Sequence, residues 1–216
     1  MKIRALELTT NNLKQTEGFY TDVLGLKMNE VSSHSLSYTI GSSVLHFTEK
    51  AGEAGVYHFA FNIPCNKINE ALNWIASKVD PITNEAGEYI TNFKNWNAHS
   101  VYFFDNNKNI LEFIARGDLE NSSAEPFTSN SILSINEVGI VAQKPLKLAR
   151  QLINSHGLEY FEKGPKREDF TVLGDDNGLV VISGTDRNWY PSRELAKQRS
   201  LKMKIQVNTT LREIYV

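Results

Sequence analysis

Cysteine is nearly absent from this chain: Cys65 is the only one in 216 residues. No disulfide can close within the chain, and the usage fits a reducing cytosol. With no base placed beside it, Cys65 does not read as a nucleophile either. No apolar stretch approaches the roughly 18–20 residues of a membrane span. The opening run MKIRALELTT carries Arg4 and Glu7 inside its apolar pattern, so it reads as a strand and not as a signal peptide. Charge is close to balance, with 23 Lys and Arg against 25 Asp and Glu. A nucleic-acid or anionic-membrane binder would need a basic stripe. The one basic cluster, KMKIQ, alternates with apolar residues as a strand does. The expectation is a soluble cytoplasmic protein, with no nucleic-acid or membrane partner, long enough to bury a real core.

What the chain does have is repetition. IRALELTT alternates as a half-buried strand. NNLKQTEGFYTDVLG follows with helical spacing, Asn12 as N-cap and Gly25 as C-cap. LKMNEVSS, SLSYTIG and SVLHFTEK then read as three short strands between Ser/Gly turns. This βαβββ unit recurs as VYHFAFNIP, the amphipathic NKINEALNWIASKV, EYITNFK, SVYFFD and ILEFIAR. A third copy, in slightly slipped alignment, runs through INEVGIVA, PLKLARQLINSHG, LEYFEKG, DFTVLGD and GLVVISG. SLKMKIQVN resembles the first strand of a fourth unit, and TDRNWYPSRELAKQRS reads as a connector, partly helical after Pro191. The expected organisation is a first domain at 1–118 (modules 1–52 and 55–116), a linker at 119–132, and a third module plus a lone terminal strand at 133–216.

Strand alternation assigns faces. Leu111 and Phe113 share one side, with Glu112 opposite; Leu45 and Phe47 share one side, with His46 opposite. Phe59, Phe61 and Ile63 oppose His58, Ala60 and Asn62, while Leu6 and Leu8 oppose Ala5, Glu7 and Thr9. The large apolar faces should pack under the helices, and the opposite faces should line a concavity.

Tandem units carrying FYTDVLGL, HFAFNI and SVYFFDNNKNILEF resemble the vicinal oxygen chelate superfamily, which includes glyoxalase I, extradiol dioxygenases, fosfomycin-resistance transferases and bleomycin-binding proteins. The family turn Asp-Pro-Asp/Glu-Gly-Asn appears as Asp105-Asn106-Asn107-Lys108-Asn109, without its proline and glycine. The resemblance implies an α+β fold: βαβββ modules paired into a cup-shaped eight-stranded mixed sheet with helices outside. It also implies that metal ligands come from the first and last strands of the paired modules. With modules 1 and 2 paired, those positions are Ala5, His46, His58 and Glu112. Alanine cannot coordinate, so the expected ligand set is His46, His58 and Glu112, around one divalent ion (Fe2+, Mn2+, Ni2+ or Zn2+). In the third module the equivalent positions read Glu137 (or Val138) and Val181, with Lys202 on the terminal strand; Glu137 and Lys202 are expected to pair with each other in a second, closed cup.

The function these expectations imply is a metalloenzyme acting on a small oxygen-containing substrate, as an isomerase or lyase or as a dioxygenase. Glu112 and Glu7 are the candidate catalytic carboxylates. Tyr102, Asn62 and Thr9 are candidate substrate contacts. The loop NFKNWNAHS is a candidate lid. The rival reading, which the vacancy at Ala5 favours, is a metal-free, bleomycin-resistance-like sequestering protein. The family closes its cup either within one chain or across a homodimer.

Overall fold

The computed structural model describes residues 1–50 and 56–216. The expected boundary between the first two modules, at 52–55, lies outside the described residues. Module 1 comprises β1 (Lys2–Thr10), α1 (Leu13–Glu17) extended by a π-helical turn (Gly18–Val23), β2 (Lys27–Val31), β3 (Ser35–Ile40) and β4 (Ser43–Glu49). Asn12 caps α1 by accepting from the Gln15 backbone N–H at 2.9 Å, and Gly25 has φ +63°. Module 2 comprises β5 (His58–Ile63), α2 (Ile68–Ala76), β6 (Pro81–Ile82), β7 (Thr91–Phe93), β8 (Ala98–Phe104) and β9 (Ile110–Arg116). Module 3 is shorter: β10 (Ser134–Val141), α3 (Pro145–His156), β11 (Phe170–Asp175) and β12 (Gly178–Ser183). The chain ends in a hairpin, β13 (Lys202–Val207) and β14 (Thr210–Tyr215), where a lone strand was expected.

The modules do not pair in sequence order. One sheet has six strands in the order β14-β13-β1-β4-β3-β2; the other has eight, β11-β12-β10-β5-β9-β8-β6, with β7 also on β8. Modules 2 and 3 therefore build the eight-stranded mixed sheet, while module 1 shares its sheet with the terminal hairpin. This corrects the expected pairing of modules 1 and 2. Alternation fixes which face a residue takes; it says nothing about which edge its strand will find. Segment 119–132 thus connects two strands of one sheet. Residues 185–200 carry no helix: a single bridge, Asn188 to Leu195, folds them into a strap.

The same irregularity recurs in both sheets. β10 bulges between Ile135 and Glu137 against β5, and β1 bulges between Ile3 and Ala5 against β13. A bulge turns two successive side chains the same way, so both strands retain one repeat geometry.

The apolar faces pack as the alternation requires. Leu6, Leu45, Phe47, Phe59, Phe61, Leu111 and Phe113 are fully buried in a core shared by the two sheets and the helices. Each such side chain contributes on the order of 2–3 kcal/mol by burial. Phe113 is the hub of this core, with Phe103, Phe127, Phe61 and Trp74 at centroid distances of 5.0 to 6.1 Å.

Asp105 joins the halves. Tyr20 Oη on the π-helical turn donates to Asp105 Oδ2 at 2.8 Å, as does Asn109 Nδ2 at 2.8 Å; the backbone N–H groups of Asn107 and Asn109 donate to Oδ1. Asn106, in the family's proline place, donates from Nδ2 to Thr16 Oγ1 at 3.2 Å, and the neighbouring Asn107 Nδ2 reaches Thr10 Oγ1 at 2.9 Å. Lys108 takes the glycine's left-handed backbone, with φ +64°. That conformation costs an L side chain about 1–2 kcal/mol. Lys108→Gly should therefore raise Tm by roughly 2–4 °C in a thermal melt.

Burial raises the Asp105 pKa from 3.8 to about 6, against the opposing hydrogen bonds from Asn109 and Tyr20. A raised carboxylate pKa means that folding takes up a proton between these two values. Its favourable contribution is present below the unfolded pKa and is lost as pH rises through the folded one. Relative to Asp105→Asn, whose side chain does not titrate, the wild-type advantage should shrink by about 2 kcal/mol between pH 4 and pH 7. Urea denaturation at both pH values measures this, and an unchanged gap would refute it.

Candidate functional site

Three polar side chains meet on the inner face of the eight-stranded sheet. β5 lies at its centre, parallel to β9 with Ala60 opposite Glu112, and antiparallel to β10 with Ala60 opposite Glu137. The methyl group of Ala60 thus sits between two carboxylates, and His58, two residues earlier, shares their face. His58 Nδ1 lies 3.1 Å from the Ile110 carbonyl. A carbonyl only accepts, so Nδ1 carries the proton and Nε2 presents its lone pair to the carboxylates. The nearest approach there, to Glu112 Oε2, is 3.6 Å. One ligand atom from each of His58, Glu112 and Glu137 lies within 4.8 Å of the others, forming the one such cluster among the described residues.

The site is dry. His58, Glu112 and Glu137 are 7%, 2% and 3% exposed. Burial lowers the His58 pKa from 6.5 to about 4, so the imidazole is neutral near pH 7. Burial raises Glu112 well above the usual carboxylate range, and the charge of Glu137 adds to the effect. Ser100, the charge of Arg116 and Tyr102 pull it back toward the ionised form. Glu137 is raised by burial and pulled back by Arg116.

Arg116 is wholly buried at the end of β9. Its Nη2 donates to Glu137 Oε1, its Nε to Asn136 Oδ1 at 2.8 Å, and its Nη1 reaches Asp176 Oδ1 at 3.4 Å. The bulge in β10 makes this possible by turning Asn136 and Glu137 to the same side. The guanidinium also lies over the rings of Trp96 and Phe161, at 5.8 and 5.9 Å. Arg116 was not singled out in sequence. It does follow Ile110, Glu112 and Ile114 at period two, so alternation alone placed it on the cavity face.

The cluster opens into a cavity of about 110 Å3, below the roughly 300–1,000 Å3 of a drug-sized pocket but enough for one small molecule. Phe93, Trp96, Tyr102, Phe170, Trp189 and Tyr190 give it aromatic walls. Tyr102 sits directly across from Glu112. Val181 lines the wall at the fourth repeat-equivalent position.

The other expected residues go elsewhere. His46 lies in the six-stranded sheet between Glu7 and Ser37, outside the His58 cluster, because β4 belongs to the sheet that module 2 does not join. Glu7 pairs with Lys202 at 3.0 Å, so Lys202 is not the partner of Glu137. Thr9 Oγ1 meets Tyr57 Oη at 2.9 Å, away from the cavity. Asn62 points into a separate surface depression beside Leu133 and Asn121. Of the NFKNWNAHS loop, Phe93 and Trp96 do line the cavity. The segment that sequence reading missed is the strap, whose Trp189 ring lies 5.3 Å from His58; it has no periodicity to betray it.

The sequence model of the Glyoxalase/Bleomycin resistance protein/Dioxygenase superfamily matches residues 2–113, half of the chain. The chain belongs to this superfamily. Two solved structures share its fold. A candidate dioxygenase from Bacillus subtilis aligns with a TM-score of 0.61 at 19% identity, over 85% of this chain and 63% of that one. A glyoxalase I mutant from Zea mays aligns at 0.56 and 15% identity, over 91% of this chain and 70% of that one. The chain thus spans under two thirds of the Bacillus protein's length, and at these identities the likeness is one of fold. No curated protein matches the chain in sequence.

Within this superfamily fold, Arg116 is the counter-charge of the buried acids. Arg116→Met leaves Glu137 buried without its partner, at a cost of about 3–5 kcal/mol. Losing the guanidinium raises the Glu137 pKa further, so protonation relieves the defect. The loss should be larger at pH 8 than at pH 5 in urea titrations.

Proposed function

We propose that this superfamily member is a metalloenzyme whose cup, built by modules 2 and 3, holds one divalent metal on His58, Glu112 and Glu137 and acts on a small oxygen-bearing molecule. The supporting observation is the convergence of one neutral imidazole nitrogen and two carboxylates from three adjacent strands, at repeat-equivalent positions. The donor set fits an ion. Ligand atoms about 2.1 Å from a metal lie roughly 3.0–3.4 Å apart in octahedral or tetrahedral coordination, so the 4.8 Å span contracts by about 1.5 Å, within reach of side-chain rotation, when the ion seats. The His58 tautomer is already the ligating one. An imidazole with two carboxylates suits Mn2+, Fe2+ or Zn2+.

A metal there supplies a Lewis acid for a carbonyl, enolate or bound-water oxygen. The protein's own groups do the rest. Glu112 would take and return a proton at the carboxylate oxygen that the ion leaves free. The Tyr102 hydroxyl, kept protonated by burial and by the charge of Glu112, can donate to a substrate oxygen. Arg116 holds one oxygen of Glu137 and leaves the other for the ion. The aromatic walls exclude water.

One observation favours a second reading. The Arg116–Glu137 ion pair already neutralises one acid, as a metal-free binding cavity would require.

Metal analysis of untagged protein separates the two. Wild type should retain about one equivalent of Mn2+, Fe2+ or Zn2+ after dialysis. His58→Ala should lose it, and His46→Ala should keep it. Protein that holds no metal after exposure to each ion would eliminate the enzyme reading in favour of the binding module.

A further inference from the structure

The strap from Thr185 to Lys197 closes one side of the cavity and carries two donor atoms that find no partner among the described residues. Trp189 is 4% exposed, yet its Nε1–H has no hydrogen-bond partner among the described residues. Arg187 Nε is likewise buried and without a partner. Both residues line the cavity. They stand two apart on the strap, so extended backbone gives them the same side.

Their positions are built, not incidental. Gly139, on β10, faces the Trp189 indole: a Cβ there would lie 2.5 Å from Trp189 Cη2. Only a glycine lets the ring settle against the sheet beside His58. Arg187 is anchored from outside by Asp169, whose Oδ2 accepts from Nη1 at 2.5 Å, and its guanidinium lies 5.0 Å from the centre of the Phe170 ring. These contacts fix the side chain and leave Nε unused. A buried donor without a partner costs about 1–3 kcal/mol, so two such donors on residues that line one cavity call for an acceptor.

We infer that Trp189 Nε1 and Arg187 Nε form the substrate-anchoring edge of the cavity, and that they take the carboxylate of a small flat unsaturated or aromatic acid. A carboxylate offers two acceptor oxygens, one for each donor. The ring walls of Phe93, Phe170 and Tyr190 suit a flat body. The inference rests on the proposed metal cavity for its location, because the same Trp189 ring packs on His58. It does not depend on which metal is bound.

The test uses benzoate as the probe and benzyl alcohol as its neutral counterpart. Tryptophan fluorescence and calorimetry report binding to the full chain in the presence of Zn2+, and metal content is measured on the same samples. Benzoate should bind saturably and benzyl alcohol at least about tenfold more weakly. Trp189→Phe and Arg187→Gln should each weaken benzoate by about tenfold or more, the scale of a hydrogen bond to a charged group. Both variants should keep the wild-type metal content. Gly139→Ala, which displaces the indole while leaving every donor in place, should weaken benzoate similarly. The inference is overturned if wild type does not bind benzoate, if the alcohol binds equally well, or if both strap variants bind benzoate like wild type. Absence of metal with benzoate affinity still dependent on Trp189 and Arg187 would sink the metal reading and sustain this one.

Discussion

The antiparallel ladder between β5 and β10 joins two modules that each hold half of a site. Left alone, module 2 would present the open edge of β5 to solvent, and module 3 that of β10, with unpaired N–H and C=O groups along both. Pairing satisfies them together and makes β5 a fully buried central strand. The same ladder carries the chemistry. It places Glu137 beside Ala60, which already neighbours Glu112 on the other side. Its bulge turns Asn136 and Glu137 toward Arg116. Module 1, paired with a terminal hairpin, supplies the second sheet over the shared core and no member of the cluster.

The balance of charge follows from that geometry. Two acids and one guanidinium lie in a dry, aromatic-walled space, and the imidazole between them is held neutral. Ionising both acids leaves one negative charge uncompensated at low dielectric, which is costly. Two remedies exist: protons, toward which both carboxylate pKa values move, or a cation. The Ile110 carbonyl, independently, turns the free nitrogen of His58 toward the same acids. The strap completes the enclosure, since it brings an indole onto His58 at a position kept open by Gly139.

Much of this was legible in the residues. Alternation in ILEFIAR and HFAFNI put Glu112 and His58 opposite the apolar faces, repeat alignment gave Glu137 (or Val138) the equivalent place in the third module, and the buried faces led by Phe59, Phe61, Leu111 and Phe113 emerged as expected. The repeat placed Ala5, His58, Glu137 and Lys202 in one class and His46, Glu112 and Val181 in another. The choice of neighbours was not legible. The repeat pointed to His46 as the third ligand and to Lys202 as the partner of Glu137, because a period of two does not name the strand across the ladder. Glu7 and Lys202 illustrate the same limit, for they meet each other across β1 and β13. The strap was illegible for a different reason: Arg187 and Trp189 act through a turn-rich segment with neither helical nor strand period, where only contacts reveal a role.

The central claim is that the site belongs to the seam of modules 2 and 3. A crystal structure of the protein grown with Zn2+, phased on the metal's anomalous signal, tests it most directly. The account predicts one strong peak about 2.0–2.2 Å from His58 Nε2 and from an oxygen each of Glu112 and Glu137. A peak at His46 and Glu7, or none in the cup with the ion present, would contradict it.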